Sequence, residues 1–340
     1  MSASLQALLH DLAAEREISP LLLGAAIDEV LDGGASPVQR GALLMGLRLP
    51  RLTGEAIAGA AKALRNRMLG VDLGGDLTDV CGTGGDHAGL LNISTAMAFV
   101  AAACGLRIAK HGNRAMSSRS GGADLLEALG LRLDAPSALQ QAGMAQCGLA
   151  FLFAQAHHPG LKEIAPARQE LGFRTLFNVL GPLANPAGAS QQVLGVFSPD
   201  LLLPMGQALA NLGCHKAWIV HGAGGIDEVS ISGPTEVLAL ENETFTRFTI
   251  CPADAGLAEQ PLDKLRGGDP EHNAIALRAL LAGVHDAYRD AVVLNTAAAL
   301  KMTGKAADLH EGARLAEQAI DSGAAARCLA DLLRMQEGQA

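Results

Sequence analysis

Two loops hold most of the side chains that could do chemistry. The first reads Gly82-Thr83-Gly84-Gly85-Asp86 and leads into Asn92-Ile93-Ser94-Thr95. Glycines at 82, 84 and 85 leave backbone N–H groups open to a ligand and tolerate the positive φ of a tight anion loop. The Asn92 amide and the Ser94 and Thr95 hydroxyls add donors. A helix capped by Ser94-Thr95 would aim its positive end at the same point. That is a phosphate-binding arrangement. The chain has 40 glycines, so the loop alone also reads as a tight turn with a Ser/Thr cap.

The second loop sharpens the case. Lys110-His111-Gly112-Asn113-Arg114-Ala115-Met116-Ser117-Ser118-Arg119-Ser120-Gly121-Gly122 gathers Lys110, Arg114 and Arg119 among hydroxyls, an amide and glycines. A polyanionic ligand explains why an acidic chain concentrates cations here. One further feature fits such a ligand. Asp227-Glu228 follows a predicted strand, and hard carboxylate oxygens suit Mg²⁺; the same pair at Asp28-Glu29 reads as helix surface. Arg168, a lone Arg on a predicted helix, reads by itself as a solvated surface group. His111 and His158 read equally as cavity-lining or as satisfied structural histidines. No H-E-x-x-H or Cys/His cluster points to zinc.

The elements that must position these groups change character along the chain. Residues 1–70 read as helices only, with starts at Pro20, Ser36-Pro37 and Thr53-Gly54, closed by a Gly-rich link from Gly70 to Gly75. A strand over Thr78–Cys81 precedes the first loop, and Leu106–Ala109 precedes the second. Helices are expected at 123–129, 136–146, 159–171 and 200–212, and strands at 149–153, 192–197 and 217–221. Alternating strands and helices predict an α/β fold: a small all-helical domain (1–70), then a larger domain (76–335) with a mostly parallel central sheet flanked by helices. Both polar loops then lie at the carboxyl edge of that sheet, where such folds bind ligands. Three alternating runs between 226 and 250, the first at Val229–Ser232, read as antiparallel strands. From 272 the chain is helical again. Trp218 and Tyr288 read as packing residues.

Composition bounds the function. The chain has 340 residues, 49% hydrophobic and 18% charged, with a formal net charge of -9. A folded chain with a sizeable core follows. The acidic balance argues against a general nucleic-acid or anionic-membrane surface, which would want clustered cations. Six scattered cysteines give no disulfide framework and suit a reducing compartment. His10, Asp11, Glu15 and Arg16 interrupt the place where a signal peptide would need an apolar run. The uncharged stretch from Ala88 to Leu106 contains Asn92, Ser94, Thr95 and Gly105, a poor membrane span. A cytoplasmic protein is expected.

Taken in order, the motifs resemble those of the anthranilate phosphoribosyltransferases. The match runs through Gly82–Asp86, Asn92–Thr95, Lys110–Arg114, Ser117-Ser118 and Ala123-Asp124. It continues at His157-His158-Pro159, Arg168–Gly172, Arg174–Asn178, Leu180–Pro186, His221-Gly222 and Asp227-Glu228. The resemblance spans the helical N-terminus to about residue 330. It implies a helical domain that makes a homodimer and an α/β domain like that of the nucleoside phosphorylases. It implies transfer of 5-phosphoribose from phosphoribosyl pyrophosphate to the anthranilate amine, with two Mg²⁺ ions per monomer. The donor contacts so implied are Gly82, Gly85, Asp86, Asn92, Ile93, Ser94, Thr95, the run Lys110, His111, Gly112, Asn113, Arg114, Ala115, Met116, Ser117 and Ser118, and Gly122. Anthranilate would meet Gly82, Asn113 and Arg168. Ser94 would ligate one Mg²⁺, and Asp227 with Glu228 the other. No general base is implied, because an aniline-type amine is already neutral. Leu90 stands where the family usually has Thr or Ser, a hydroxyl worth about 1 kcal/mol; His87 stands where Gly is common, and Gly122 where Ser often is. A pyrimidine-nucleoside phosphorylase would share the fold, but Arg168, Asp227-Glu228 and the Lys110–Arg114 string argue against it. A non-catalytic nucleic-acid-binding relative would want a basic face, which the net charge disfavours.

Overall fold

Ser19, Ser36 and Thr53 each precede an apolar-periodic run, and each caps a helix with its hydroxyl. These and the N-terminal run give α1 (Ala3–Ala13), α2 (Pro20–Leu31), α3 (Pro37–Gly46) and α4 (Gly54–Asn66). The computed structural model describes residues 3–48, 52–115 and 119–337. Helices α2 and α4 cross closely because a Cβ at Gly59 would lie 2.6 Å from the Pro20 carbonyl oxygen.

The link after α4 is packed rather than loose. Val71 and Leu73 are buried, and Arg107 donates to the carbonyls of Leu73 and Gly74. Then come β1 (Thr78–Gly82), α5 (Ile93–Ala103), β2 (Ile108–Gly112), α6 (Gly122–Ala128), a helix at Ser137–Cys147 and β3 (Leu149–Phe153). Strands β4 (Gln191–Gly195), β5 (Lys216–Gly222), β6 (Thr235–Glu241) and β7 (Thr244–Ile250) follow. They form one sheet in the order β3-β2-β1-β4-β5-β6-β7, parallel from β3 to β5 and antiparallel at β6 and β7. The chain builds outward from β1 in both directions, so the topological switch lies between β1 and β4.

Alternate strand residues feed opposite cores. Val193, Trp218 and Val220 pack with α5 and the helix Ala287–Thr303. Leu194, Ala217 and Ile219 pack with the N-terminal helices, so that region shares a continuous core with one face of the sheet. Arg65 adds a strut, donating from α4 to the carbonyls of Leu183 (2.7 Å) and Leu212 (2.9 Å).

Three expectations need correction. The helix expected at 159–171 is a 3₁₀ turn at Pro159–Glu163 and a separate helix at Ala165–Leu171. Pro166 has no N–H and must sit in a first turn, so it forces the break. The strand expected at Val229–Ser232 is irregular backbone. Both the N–H and the carbonyl of Val229 bond the Asn295 side chain (2.9 and 2.8 Å), which replaces a ladder partner. The helix expected to be capped by Ser94-Thr95 begins at Ile93, with Asn92 in the cap position. No helix among the described residues is long and apolar enough to cross a membrane. All six cysteines are free.

Candidate active site

The carboxyl ends of β1 and β2 open into a cleft of about 300 Å³. Its first wall is the loop after β1. The Thr83 N–H donates to the Gly195 carbonyl (2.9 Å), and its hydroxyl accepts from the Phe197 N–H (3.3 Å), which staples the loop across the β1/β4 switch. The Gly84 N–H donates to the Asp227 carboxylate (2.6 Å). Protein acceptors therefore use the N–H groups of Thr83 and Gly84, and no acceptor among the described residues takes that of Gly85. Glycine is required at 82 and 195 for room. A Cβ would lie 2.2 Å from Asp227 Oδ2 at the first and 1.6 Å from the Asp227 carbonyl oxygen at the second.

Glu228 sits at the other end of the same crossing segment. Its carboxylate accepts the Ser94 N–H (3.1 Å), one of the orphan donors of α5, which is why the helix starts before Ser94. Burial, then the nearby charge of Asp86, raises Asp227 above the usual carboxylate range; burial, then Asp227, raises Glu228. Both carboxylates are costly to ionise without a cation. Among the described residues no group of three His, Cys, Asp or Glu side chains gathers tightly enough to hold a metal alone. Mg²⁺ typically takes one or two carboxylates and completes its shell with phosphates and water. The Asp227–Glu228 carboxylate pair fits one such ion, and the Ser94 hydroxyl is a hard oxygen suited to another.

Positive charge comes from below. Lys110, 4% exposed, donates to the Val80 carbonyl (2.5 Å) and to the Ser94 hydroxyl (3.2 Å). Its counter-charge is Asp79, fully buried in β1, which accepts from the His111 N–H (3.1 Å) and the Asn185 amide (2.8 Å). Burial pushes Asp79 up to about 6, against the opposing pull of Lys110.

Of the residues expected at the donor, Gly82, Gly85, Asn92, Ser94, Thr95, Lys110, His111, Gly112, Asn113, Arg114, Ala115 and Gly122 line the cleft. Asp86, Asp227 and Glu228 lie outside its lining. Ile93 is 1% exposed and packs in the core, so its side chain faces away from any ligand. Met116, Ser117 and Ser118 lie outside the described residues. Arg114 is not a free cation. Its guanidinium bonds Asp124 (3.0 Å) and forks onto Glu127 (2.7 and 3.1 Å), so it holds the loop to α6. His87 adopts φ 58°, a left-handed conformation that glycine takes without strain. A side chain at Gly122 would place its Cβ 2.8 Å from the Thr95 hydroxyl.

The far end of the cleft has different chemistry. Arg168 reaches it from the helix Ala165–Leu171, half-buried, with its guanidinium 5.8 Å from the Phe177 ring. Burial alone lowers its pKa, and no carboxylate among the described residues pairs with it. His111 Nδ1 donates to the Gly181 carbonyl (2.9 Å), and His158 Nε2 donates to that of Ala184 (2.9 Å). Those bonds fix the tautomers, leaving His111 Nε2 and His158 Nδ1 as buried acceptors without a partner among the described residues. Burial holds His111 down to about 3 and His158 to about 4, so both rings are neutral. The sequence reading missed several residues. Asp79 is legible as a lone carboxylate in an apolar strand. Arg174, with its guanidinium 4.0 Å over the Phe197 ring and beside Gly85, begins the matched Arg174–Asn178 run, but the sequence gives it no role. Tyr288 does more than pack, since its hydroxyl donates to the Asn92 carbonyl (3.2 Å).

Comparison with known proteins identifies the family. Residues 6–68 match the helical bundle domain of the glycosyl transferase family, and residues 74–326 match its a/b domain. The chain is 54% identical over 301 residues to the anthranilate phosphoribosyltransferase of Methylobacterium nodulans, covering 88% of this chain and 89% of the relative. The crystal structure of the Thermus thermophilus anthranilate phosphoribosyltransferase superposes with a TM-score of 0.90 at 40% identity, covering 96% of this chain and 98% of that one. The Saccharomyces cerevisiae enzyme, in complex with PRPP and Mg, superposes with a TM-score of 0.91 at 30% identity over 99% of each chain.

Proposed function

The chain belongs to the glycosyl transferase family, and from that membership we infer an anthranilate phosphoribosyltransferase that uses Mg²⁺. It transfers 5-phosphoribose from phosphoribosyl pyrophosphate to the amine of anthranilate and releases pyrophosphate, the second step of tryptophan biosynthesis from chorismate. One observation carries the reading in this chain. A single cleft has an anion loop over a buried lysine at one end and, at the other, a guanidinium fork with no carboxylate partner among the described residues.

The residues divide the work. Gly82, Gly85, Asp86, Asn92, Ser94, Thr95 and Lys110, with the loop to Ser118 and Gly122, hold the donor. Lys110 and the N-terminal end of α5 face the charge that builds on the departing diphosphate. When bound, Mg²⁺ neutralises that diphosphate. Ser94 is the proposed ligand of one ion, and Asp227 with Glu228 of a second. Arg168 grips the anthranilate carboxylate bidentately, with Asn113 and Gly82 beside the ring. His111 Nε2 and His158 Nδ1 are acceptors suited to an amine N–H, which would turn the nitrogen lone pair toward the ribose. The amine is neutral, so positioning rather than proton removal is the chain's main contribution.

We place the enzyme in the cytoplasm as a homodimer joined through the helical domain of residues 1–70, followed by a catalytic domain of residues 76–335. Leu21, Val38 and Met45, exposed by 87%, 82% and 53%, are apolar side chains of that domain that such a contact would cover. The reaction is tested by measuring pyrophosphate release with donor and Mg²⁺, with and without anthranilate. Release that requires anthranilate supports the reading. Phosphorolysis of a pyrimidine nucleoside, with no anthranilate-dependent release, would replace it.

A further inference from the structure

The donor loop is braced by a segment far along the chain. Leu90 and Arg266 form an isolated antiparallel bridge, with the Gly267 N–H on the Gly89 carbonyl (2.8 Å) and the Leu91 N–H on the Leu265 carbonyl (2.8 Å). The loop is therefore held through the backbone on either side of Leu90, whatever that side chain lacks. The same segment leads into the helix Pro270–Leu281, whose Asn273 is 2% exposed.

Asn273 connects to the site by a directional chain. The Gly268 N–H donates to Asn273 Oδ1 (2.8 Å). A backbone N–H can only donate, so it fixes which end of the Asn273 amide is oxygen. Asn273 Nδ2 must then face Asn92, and it donates to Asn92 Oδ1 (2.8 Å). The Asn92 amide is fixed in turn, and its Nδ2 donates to the Ser120 carbonyl (3.1 Å) at the end of the second loop. One hydrogen of that NH₂ is thereby used, and no acceptor among the described residues takes the other, which is open to an anion in the cleft that Asn92 lines.

We infer that Asn273 is a positioning residue for the donor subsite, setting the Asn92 amide so that its N–H₂ bridges the two phosphate-binding loops. Without it the Asn92 amide can turn and present its oxygen to the donor. The role rests on the reading of the reaction above.

The test is steady-state kinetics of wild type, Asn273→Ala, Asn273→Leu and Asn92→Ala, and of Asn273→Leu combined with Asn92→Ala. Leucine keeps the branched side-chain shape at a somewhat larger volume, so no cavity is left if the alanine variant folds poorly. Thermal midpoints are measured alongside. The role predicts about a tenfold rise in KM for phosphoribosyl pyrophosphate in the Asn273 variants. It also predicts KM for anthranilate and kcat within about twofold, and no further rise when Asn273→Leu is added to Asn92→Ala. A donor KM that does not move would overturn it. So would a rise that persists undiminished in the Asn92→Ala background, or a parallel fall in every parameter with the thermal midpoint. An inactive wild type would instead overturn the reading of the reaction, and this role with it.

Discussion

Replacing Arg168 by alanine probes the acceptor end of the cleft without touching the donor end. The guanidinium is half-buried and has no carboxylate partner among the described residues, so truncation breaks no ion pair in the free protein. In the free protein the change chiefly removes the guanidinium from its place 5.8 Å over the Phe177 ring. A hydrogen bond to a charged group is worth roughly 1.5–3 kcal/mol, which is a factor of about 10 to 150 in affinity. KM for anthranilate should therefore rise by about 10- to 150-fold, with KM for the donor within about twofold. Arg168→Lys keeps the charge but loses the planar fork, and should fall between the two. Aniline, which lacks the carboxylate, gives the decisive comparison. Its kcat/KM should be low with wild type and nearly the same with Arg168→Ala. The assay is the initial rate of anthranilate fluorescence loss at saturating donor and Mg²⁺. An unchanged anthranilate KM, or an equal loss with aniline, would refute the assignment of the fork to the carboxylate.

Other perturbations follow from the same geometry. Gly82→Ala puts a Cβ 2.2 Å from Asp227 Oδ2; donor affinity in Mg²⁺, measured by calorimetry, should fall at least about tenfold. His158 is held to about 4 in the fold against an ordinary 6.5. The unfolded chain thus binds the extra proton first, and stability falls as pH drops from 6.5 towards 4, by on the order of 3 kcal/mol in full. Chemical denaturation of wild type and His158→Gln across that range should show a flatter acid limb for the variant. His87→Gly relieves the left-handed φ of 58° and should stabilise the protein by about 0.5–1 kcal/mol in the same measurement.

The helices and strands were largely legible because their signals are local. Caps at Ser19, Ser36 and Thr53 lie beside the helices they start, and the glycine loops directly follow their strands. What sequence hid depends on distant partners. Asn92-Ile93-Ser94-Thr95 contains three residues able to cap, and Glu228, over a hundred positions away, decides where α5 begins. Arg114 reads as a phosphate cation until Asp124 and Glu127 fold back onto it. Val229–Ser232 has the alternation of a strand, but Asn295 takes its backbone bonds and both of its faces are buried. Asn273 sits in an unremarkable helix, and only the folded chain shows it against Asn92.

The central claim is that one cleft joins an anionic sugar donor to anthranilate. The most direct measurement mixes the protein with anthranilate, phosphoribosyl pyrophosphate and Mg²⁺ and follows anthranilate fluorescence while pyrophosphate is counted. The expected result is fluorescence loss that needs all three components, one pyrophosphate per anthranilate consumed, and no loss when Asp227 and Glu228 are both changed to Ala. Folded wild-type protein that leaves anthranilate unchanged at saturating donor and metal would contradict the claim.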